Sequence, residues 1–188
     1  MNSQAEHTLI SLIEGCKQQD RVAQKKLYQL LAAKMFGICL RYGRGQSEAE
    51  EILQSGFVKV FRSITDFRHE GAFEGWVRKI MVNTAIEYYR RSVKRMVTSE
   101  LEAHEEPHAQ EASALDKLAL DELLGLIAAL PDGYRMVFNM YAIEGFSHKE
   151  IASALGITIG ASKSQLSRAR AALQNAIKIR KEVCYAKL

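Results

Sequence analysis

The stretch SHKEIASALGITIGASKSQLSRAR, Ser147 to Arg170, carries the spacing of two helices joined by a glycine turn. Ser147 followed three residues later by Glu150 is a capping box, which starts a helix by satisfying free backbone N–H groups at its first turn. Ile151, Ala154 and Leu155 give that helix one apolar face, and Gly156 lets the chain leave it through a left-handed turn. Thr158 can cap a second helix, in which Ser162, Leu166, Ala169 and Leu173 recur at helical steps and face inward. Lys163, Ser164, Gln165, Ser167 and Arg168 then fall on the outward arc, near the helix N-terminus, the part of a recognition helix that enters a major groove. Gln and Arg can pair with base edges through two hydrogen bonds, and Lys and Ser suit phosphates or single acceptors. The alternative is a surface helical hairpin whose charges are merely solvated.

The flanks extend the pattern. Leu130-Pro131 opens a preceding helix, where proline's missing N–H is harmless, and Tyr134, Val137, Phe138 and Tyr141 follow at helical spacing. The whole run LPDGYRMVFNMYAIEGFSHKEIASALGITIGASKSQLSRAR resembles the C-terminal DNA-binding domain of bacterial sigma factors of the extracytoplasmic-function (ECF) group. That resemblance implies a domain that binds the −35 promoter element, with Lys163, Ser164, Gln165, Ser167 and Arg168 at the reading positions. Where many members carry Thr-Val before the Lys-Ser pair and Arg after it, this chain has Ala161, Ser162 and Gln165, so which bases are read does not carry over.

Composition agrees with a helical protein. Of 188 residues 47% are hydrophobic, enough for packed cores, and only two prolines interrupt the helical patterns. No apolar run approaches the ~18 residues of a membrane span, and no signal peptide precedes the first helix, so the expected location is the cytoplasm without membrane insertion. Cys16, Cys39 and Cys184 are an odd number without CxxC spacing, against a disulfide framework or a zinc ribbon, and Cys39 is expected in a core.

The net charge of +4 conceals a reversal of sign. Between Trp76 and Val97, Arg78, Lys79, Arg90, Arg91, Lys94 and Arg95 face only Glu87. From Ile159 onward seven Lys or Arg stand against Glu182 alone. Thr98 to Glu122 is the opposite, with eight acidic residues against Lys117. Two basic blocks joined by an acidic stretch point to two polyanion-binding surfaces on one tether.

The first half is a run of amphipathic helices. Leu9, Ile10, Leu12, Ile13 and Cys16 form a short one; Val22, Leu27, Leu30, Leu31, Met35 and Ile38 line a second, which ends near Gly43-Arg44-Gly45. Ser47 with Glu50 is another capping box, and Ala49, Ile52, Leu53, Gly56, Phe57, Val60, Phe61 and Ile64 then keep a steady helical period. After a loop from Thr65 to Ala72, a fourth helix turns Phe73, Trp76, Val77, Ile80, Met81, Thr84 and Tyr88 inward. Lys79, Asn83 and Arg90 share its opposite, polar face, and no strand alternation is present.

The segment SEAEEILQSGFVKVFRSITDFRHEGAFEGWVRKIMVNTAIEYYRR resembles the ECF sigma domain that binds the polymerase clamp and opens the −10 element. Strand opening needs platforms for unstacked bases, which aromatics supply at ~1–3 kcal/mol per base, and cations for single-stranded phosphates. The resemblance implies a pocket for a flipped base from Phe67, Arg68, His69 and Asn83, with Lys79 and Arg90 beside it. It also implies a polymerase-docking face from Glu48, Glu51, Gln54, Ser55 and Lys59. Periodicity favours Trp76 as core over Trp76 as platform.

The expected organisation is all-α: a helical domain over 1–95 that binds polymerase and opens the −10 element, a flexible acidic linker over 96–114, and a helix-turn-helix domain over 115–188. The resemblance implies a non-catalytic sigma factor without cofactors, with core RNA polymerase and promoter DNA as partners and room for an anti-sigma factor. The runner-up is a helix-turn-helix regulator with a helical sensor or dimerisation domain.

His104-Glu105-Glu106-Pro107-His108 satisfies the zinc-protease pattern H-E-x-x-H. Pro107 would sit inside the required helix, removing a hydrogen bond at a cost of ~3 kcal/mol or more, and no third ligand is evident. We expect purified protein to carry no stoichiometric zinc, and a His104→Ala/His108→Ala variant to match the parent in metal analysis and in transcription. Zinc that copurifies with the parent and is lost with activity in the variant would overturn this.

Overall fold

A computed structural model of the chain describes residues 3–98 and 123–185, with side chains described over 7–95 and 123–179. The helices are α1 (Ser3–Lys17), α2 (Arg21–Tyr42), α3 (Gln46–Ser63), which runs into a 3-10 turn (Ile64–Asp66), and α4 (Phe73–Thr98). A helical stretch at 123–128, here α5, leads to α6 (Asp132–Phe138), a π turn (Asn139–Ile143), α7 (His148–Leu155) and α8 (Ile159–Tyr185). Among the described residues there is no strand. Contacts divide the chain into two compact units, Met1–Cys39 with Ser47–Tyr88, and Leu40–Gln46 with Tyr89–Leu188. The expected boundary at 95 falls inside α4, which continues to Thr98. The rest of the expected linker up to 114, with the His104–His108 motif, lies outside the described residues.

In the first unit, α1 ends in a Schellman arrangement: Asp20 N–H donates to Gly15 O and Gln19 N–H to Cys16 O, both at 3.0 Å, with Gln19 left-handed at φ 61°. Asp20 then caps α2, its carboxylate accepting from Val22 N at 2.9 Å and from Ala23 N at 3.3 Å. A Cβ on Gly15 would stand 2.7 Å from the Ala23 Cβ, so glycine is what lets the two helices meet this closely. The buried stripe of α2 is Ala23, Leu27, Leu31, Met35, Ile38, Cys39 and Tyr42. Val22 and Leu30, expected inward, are instead 60% and 58% exposed, because each is one residue out of register with that stripe. Ile10 of α1 is likewise exposed. Cys16 and Cys39 are buried free thiols; burial, then the nearby Asp20 charge, pushes Cys16 up to about 11 and keeps it protonated.

α3 follows its sequence period closely: Ala49, Ile52, Leu53, Gly56, Phe57 and Val60 are buried, and Ile64 joins them from the 3-10 turn. It packs across α4, which buries Phe73, Val77, Met81, Val82, Thr84, Ala85 and Ile86. At the crossing, a Cβ on Gly56 would come within 2.3 Å of Met81 Sδ.

In the second unit, Arg135 of α6 is 3% exposed and divides its guanidinium between backbone carbonyls and the Asp132 carboxylate. Nη1 donates to Ala128 O and Leu130 O at 3.0 Å and Nη2 to Asp132 Oδ1 at 2.7 Å, satisfying carbonyls that the end of α5 leaves open. Pro131 stands at the N-cap of α6, one position before the helix. Ile127, Leu130, Ala169 and Leu173 form a core, with Leu126, Tyr134, Phe138 and Ile143 packed against it. The π turn was not visible in the spacing. Its i to i+5 bond, Glu144 N–H to Asn139 O at 3.0 Å, widens the winding there, where Asn139 and Met140 are buried and Tyr141 is exposed.

The Gly56–Met81 contact generates a test. Gly56→Leu should overpack the crossing and destabilise the first unit by ~1–3 kcal/mol, and Met81→Ala in the same chain should recover part of the loss. Urea unfolding followed by the fluorescence of Trp76, the single tryptophan, reads this unit. An unchanged midpoint for Gly56→Leu would show that the crossing is slack.

Candidate nucleic-acid interface

In the second unit, the helix-turn-helix is built as its spacing predicts. Ser147 Oγ accepts from Glu150 N at 3.3 Å; Glu150 Oε2 in turn accepts from Ser147 Oγ at 2.7 Å and from Ser147 N at 2.8 Å, and these last two bonds, the hydroxyl's first, lower the Glu150 carboxyl below its usual range. Gly156 is left-handed at φ 70°, and Thr158 Oγ1 accepts from Ala161 N at 3.0 Å to cap α8. Ser162, Leu166, Ala169 and Leu173 are all buried, which fixes the rotation of α8. Ser162 does so through a polar contact, its Oγ lying 2.9 Å from His148 Nδ1 at the start of α7. The His148 ring stacks on Tyr141 with centroids 4.6 Å apart, and the Arg170 guanidinium lies over the other partner's ring, 5.6 Å from the Tyr141 centroid.

That rotation exposes Lys163, Ser164, Ser167 and Arg168 together. Gln165 departs from the expectation. It is half-buried, its amide lies against α6, and a Cβ on Gly133 would sit 3.2 Å from its Oε1, which is buried without a hydrogen-bond partner. Gln165 sits one step round the helix from the exposed arc, on the edge of the Ser162–Leu166 stripe. Arg168 is exposed, with Nη1 3.4 Å from Tyr134 Oη, so its stem is steered from α6 while its remaining donors stay in solvent. Ile159, 47% exposed at the first residue of α8, was missed by the spacing; an apolar side chain there suits a thymine methyl.

In the first unit, the loop before α4 rests on aromatics. Phe67 is buried, with ring centroids 4.8 Å from His69, 5.0 Å from Phe73 and 5.6 Å from Trp76. It supports the loop from beneath, whereas the flipped-base expectation put it in the pocket itself; an apolar ring flanked by Phe73 and Trp76 gains more by burial than by exposure. Trp76 is half-buried and stacks on Phe73 at 5.6 Å. Arg68 and His69 are exposed above them, Lys79 and Asn83 are exposed on α4, and Arg90, on the part of the same helix that belongs to the second unit, is exposed too. Glu87, also on α4, is held by Lys59 of α3 at 2.7 Å.

Lys59, expected to dock polymerase, is therefore engaged by α4. Glu51 and Gln54 are exposed, and Glu48 and Ser55 half-buried. Val58, 49% exposed and four residues after Gln54, shares their face and was missed because an isolated valine reads as core. Among the described residues no group of three or more His, Cys, Asp or Glu is placed to hold a metal. No described helix is long and apolar enough to cross a membrane.

Residues 27–95 match the family model described as Sigma-70 region 2, and residues 120–173 match that described as Sigma-70, region 4. The ECF RNA polymerase sigma-E factor of Escherichia coli is 28% identical over 177 residues, covering 88% of this chain and 92% of that protein. The RNA polymerase sigma-H factor of Pseudomonas aeruginosa is 26% identical with the same coverage. The sigma factor RpoE from Bartonella quintana, solved in complex with the anti-sigma factor NepR, shares the fold, with a TM-score of 0.52 at 22% identity over 82% of this chain and 96% of that one. With both sigma-70 regions in order on one chain, and ECF relatives aligned along nearly their whole length, the protein belongs to the bacterial RNA polymerase sigma factors of the extracytoplasmic-function group.

Proposed function

We propose that this chain binds core RNA polymerase and directs it to particular promoters, and that it performs no catalysis itself. The observation that carries this is the presence of both sigma-70 regions, over 27–95 and 120–173, in one chain. A plain regulator with a sensor domain is not favoured, because the first half matches a sigma region. The action is cytoplasmic, where polymerase and chromosome are. An anti-sigma factor is a further partner, by analogy with the Bartonella complex.

Within that activity, α8 reads the −35 element through Lys163, Ser164, Ser167 and Arg168, with Gln165 supporting from beside α6. The loop over 67–72 and the Lys79, Asn83 and Arg90 face of α4 hold the opened −10 strand. Asn83 offers a donor and an acceptor to a base edge, Arg68 and His69 flank it from the loop, and Phe67 stiffens the loop from below. The exposed Glu51, Gln54 and Val58 dock polymerase, joined at their margin by Glu48, Ser55 and Lys59. We take 1–95 and 115–188 as the two domains, with the acidic 96–114 stretch between them in sequence.

If α4 captures strands, Asn83→Ala and Lys79→Ala should impair promoter opening more than recruitment. A template already melted around the start site should restore most of their transcription. Equal defects on melted and duplex templates would remove both residues from strand capture.

Arg168→Ala should cost ~1–3 kcal/mol at one upstream base position and relax preference there, with core-polymerase binding unchanged. Removing Lys163, if it meets phosphate, should instead weaken binding to all sequences and reduce its salt dependence. A promoter library randomised across the −35 element, run beside a core-binding titration, separates the two. An Arg168→Ala protein that folds normally and keeps its −35 preference would take Arg168 off the reading surface.

A further inference from the structure

His69 sits at the crest of the loop between the 3-10 turn and α4, in a left-handed backbone conformation at φ 58°. Two residues on, Gly71 also has a positive φ, of 100°, so the chain turns sharply twice within the loop. Glycine adopts such a conformation freely; histidine does not, and it persists there only where its surroundings hold it.

What holds it comes from α1. Lys17 Nζ lies 3.3 Å from His69 Nε2 and 2.9 Å from Glu14 Oε1, and the Glu14 carboxylate is 3.5 Å from the same imidazole nitrogen. The ion pair suits either tautomer of the ring: a bare Nε2 accepts from Lys17, and an Nε2 carrying the ring proton donates toward the Glu14 carboxylate. The hydrogen bond from Lys17 lowers the Glu14 carboxyl below its usual range, so the carboxylate stays charged. From below, Phe67 meets the His69 ring at 4.8 Å. The imidazole is thus held between an aromatic floor and an ion pair fifty-two residues away in sequence.

The ion pair is itself on a firm base. Glu14 and Lys17 occupy the last turn of α1, which the Schellman bonds of Gly15 and Cys16 close and the Asp20 cap joins to α2. The close approach of Gly15 to Ala23 leaves that turn little room to slide. α1 lies outside the segment 27–95 matched to Sigma-70 region 2, so this support comes from beyond the matched region.

We propose that Glu14 and Lys17 are positioning residues for strand capture: the last turn of α1 holds His69, and through it the 67–72 loop, in the shape that receives an unstacked base of the −10 element. This rests on the assignment of that loop and Asn83 to strand capture. Neither residue touches the base. Without them the loop spends part of its time in other conformations, and apparent affinity for the base falls by the fraction of competent loop that is lost.

The test uses the full-length protein with core RNA polymerase and a promoter carrying 2-aminopurine in the non-template strand of the −10 element, whose fluorescence reports base capture. Glu14→Ala and Lys17→Ala should each weaken capture about two- to fivefold, as expected for loss of one exposed ion-pair contact, with core binding and thermal midpoint unchanged. The charge-swapped chain, Glu14→Lys with Lys17→Glu, keeps an ion pair beside the imidazole and should recover most of the loss. Adding Lys17→Ala to His69→Gly should change little beyond His69→Gly alone. Native capture in Glu14→Ala and Lys17→Ala, while His69→Gly and Asn83→Ala are defective, would overturn the positioning role and leave strand capture standing. Full additivity of Lys17→Ala with His69→Gly, or no recovery in the charge-swapped chain, would also overturn it. Native capture in Asn83→Ala and His69→Gly together would overturn the strand-capture assignment, and the positioning role with it.

Discussion

Ser162 is a hydroxyl in the middle of an otherwise apolar stripe, and its bond to His148 is what ties the two helices of the DNA-facing unit together in one orientation. Leu166, Ala169 and Leu173 would hold α8 against the core over a range of small rotations, because apolar contact is non-directional. A hydrogen bond at 2.9 Å is not so tolerant. Once Ser162 faces His148, Lys163, Ser164, Ser167 and Arg168 have no choice but solvent, and Gln165 is turned toward α6. Which side chains of α8 face solvent follows from that one polar contact.

Much of this was legible in the chain. Capping chemistry is local, so Ser147 with Glu150, Thr158 and Gly156 announced the ends of α7 and the start of α8 from sequence alone. The α3 stripe was equally clear, since nearly every apolar residue in that helix is buried. α2 was not, because it carries more apolar residues than its inner face can hold, and periodicity alone could not separate Leu31 from Leu30. Charge and polarity predicted that Lys79, Asn83 and Arg168 face solvent, as they do, but the place of Gln165 depends on what α6 sets opposite it. Gly133 provides the space that admits its amide, a fact about the partner helix rather than about α8. The burial of Phe67 has a related cause: a loop aromatic can serve as platform or foundation, and its neighbours Phe73 and Trp76 cover this one. The role of Lys59 likewise turned on Glu87, in another helix.

The two candidate surfaces differ in physical character. α8 offers a small, preorganised set of donors on a rigid helix, suited to duplex base edges. The first unit offers a strained loop over an aromatic floor beside a basic helix face, suited to a strand whose bases have left the stack. Strain is tolerated in the loop because helices on either side hold it, while the recognition helix needs none.

The π turn at Asn139–Ile143 is equivalent to an α-helix with one residue too many, and this gives the segment an unusual arithmetic. Loss of a single residue there would let the helix relax to ordinary winding, but it would swing Tyr141 away from His148 and release Arg170 from its ring. Gain of one would force the surplus into the Gly145 loop and disturb the cap at Ser147. The spacing between Arg135 and Ser147 is thus fixed to the residue, although several of the intervening side chains face solvent. Relatives that diverge freely in this segment's exposed residues should still keep its length, so that insertions and deletions, rather than substitutions, are what this stretch of chain cannot absorb.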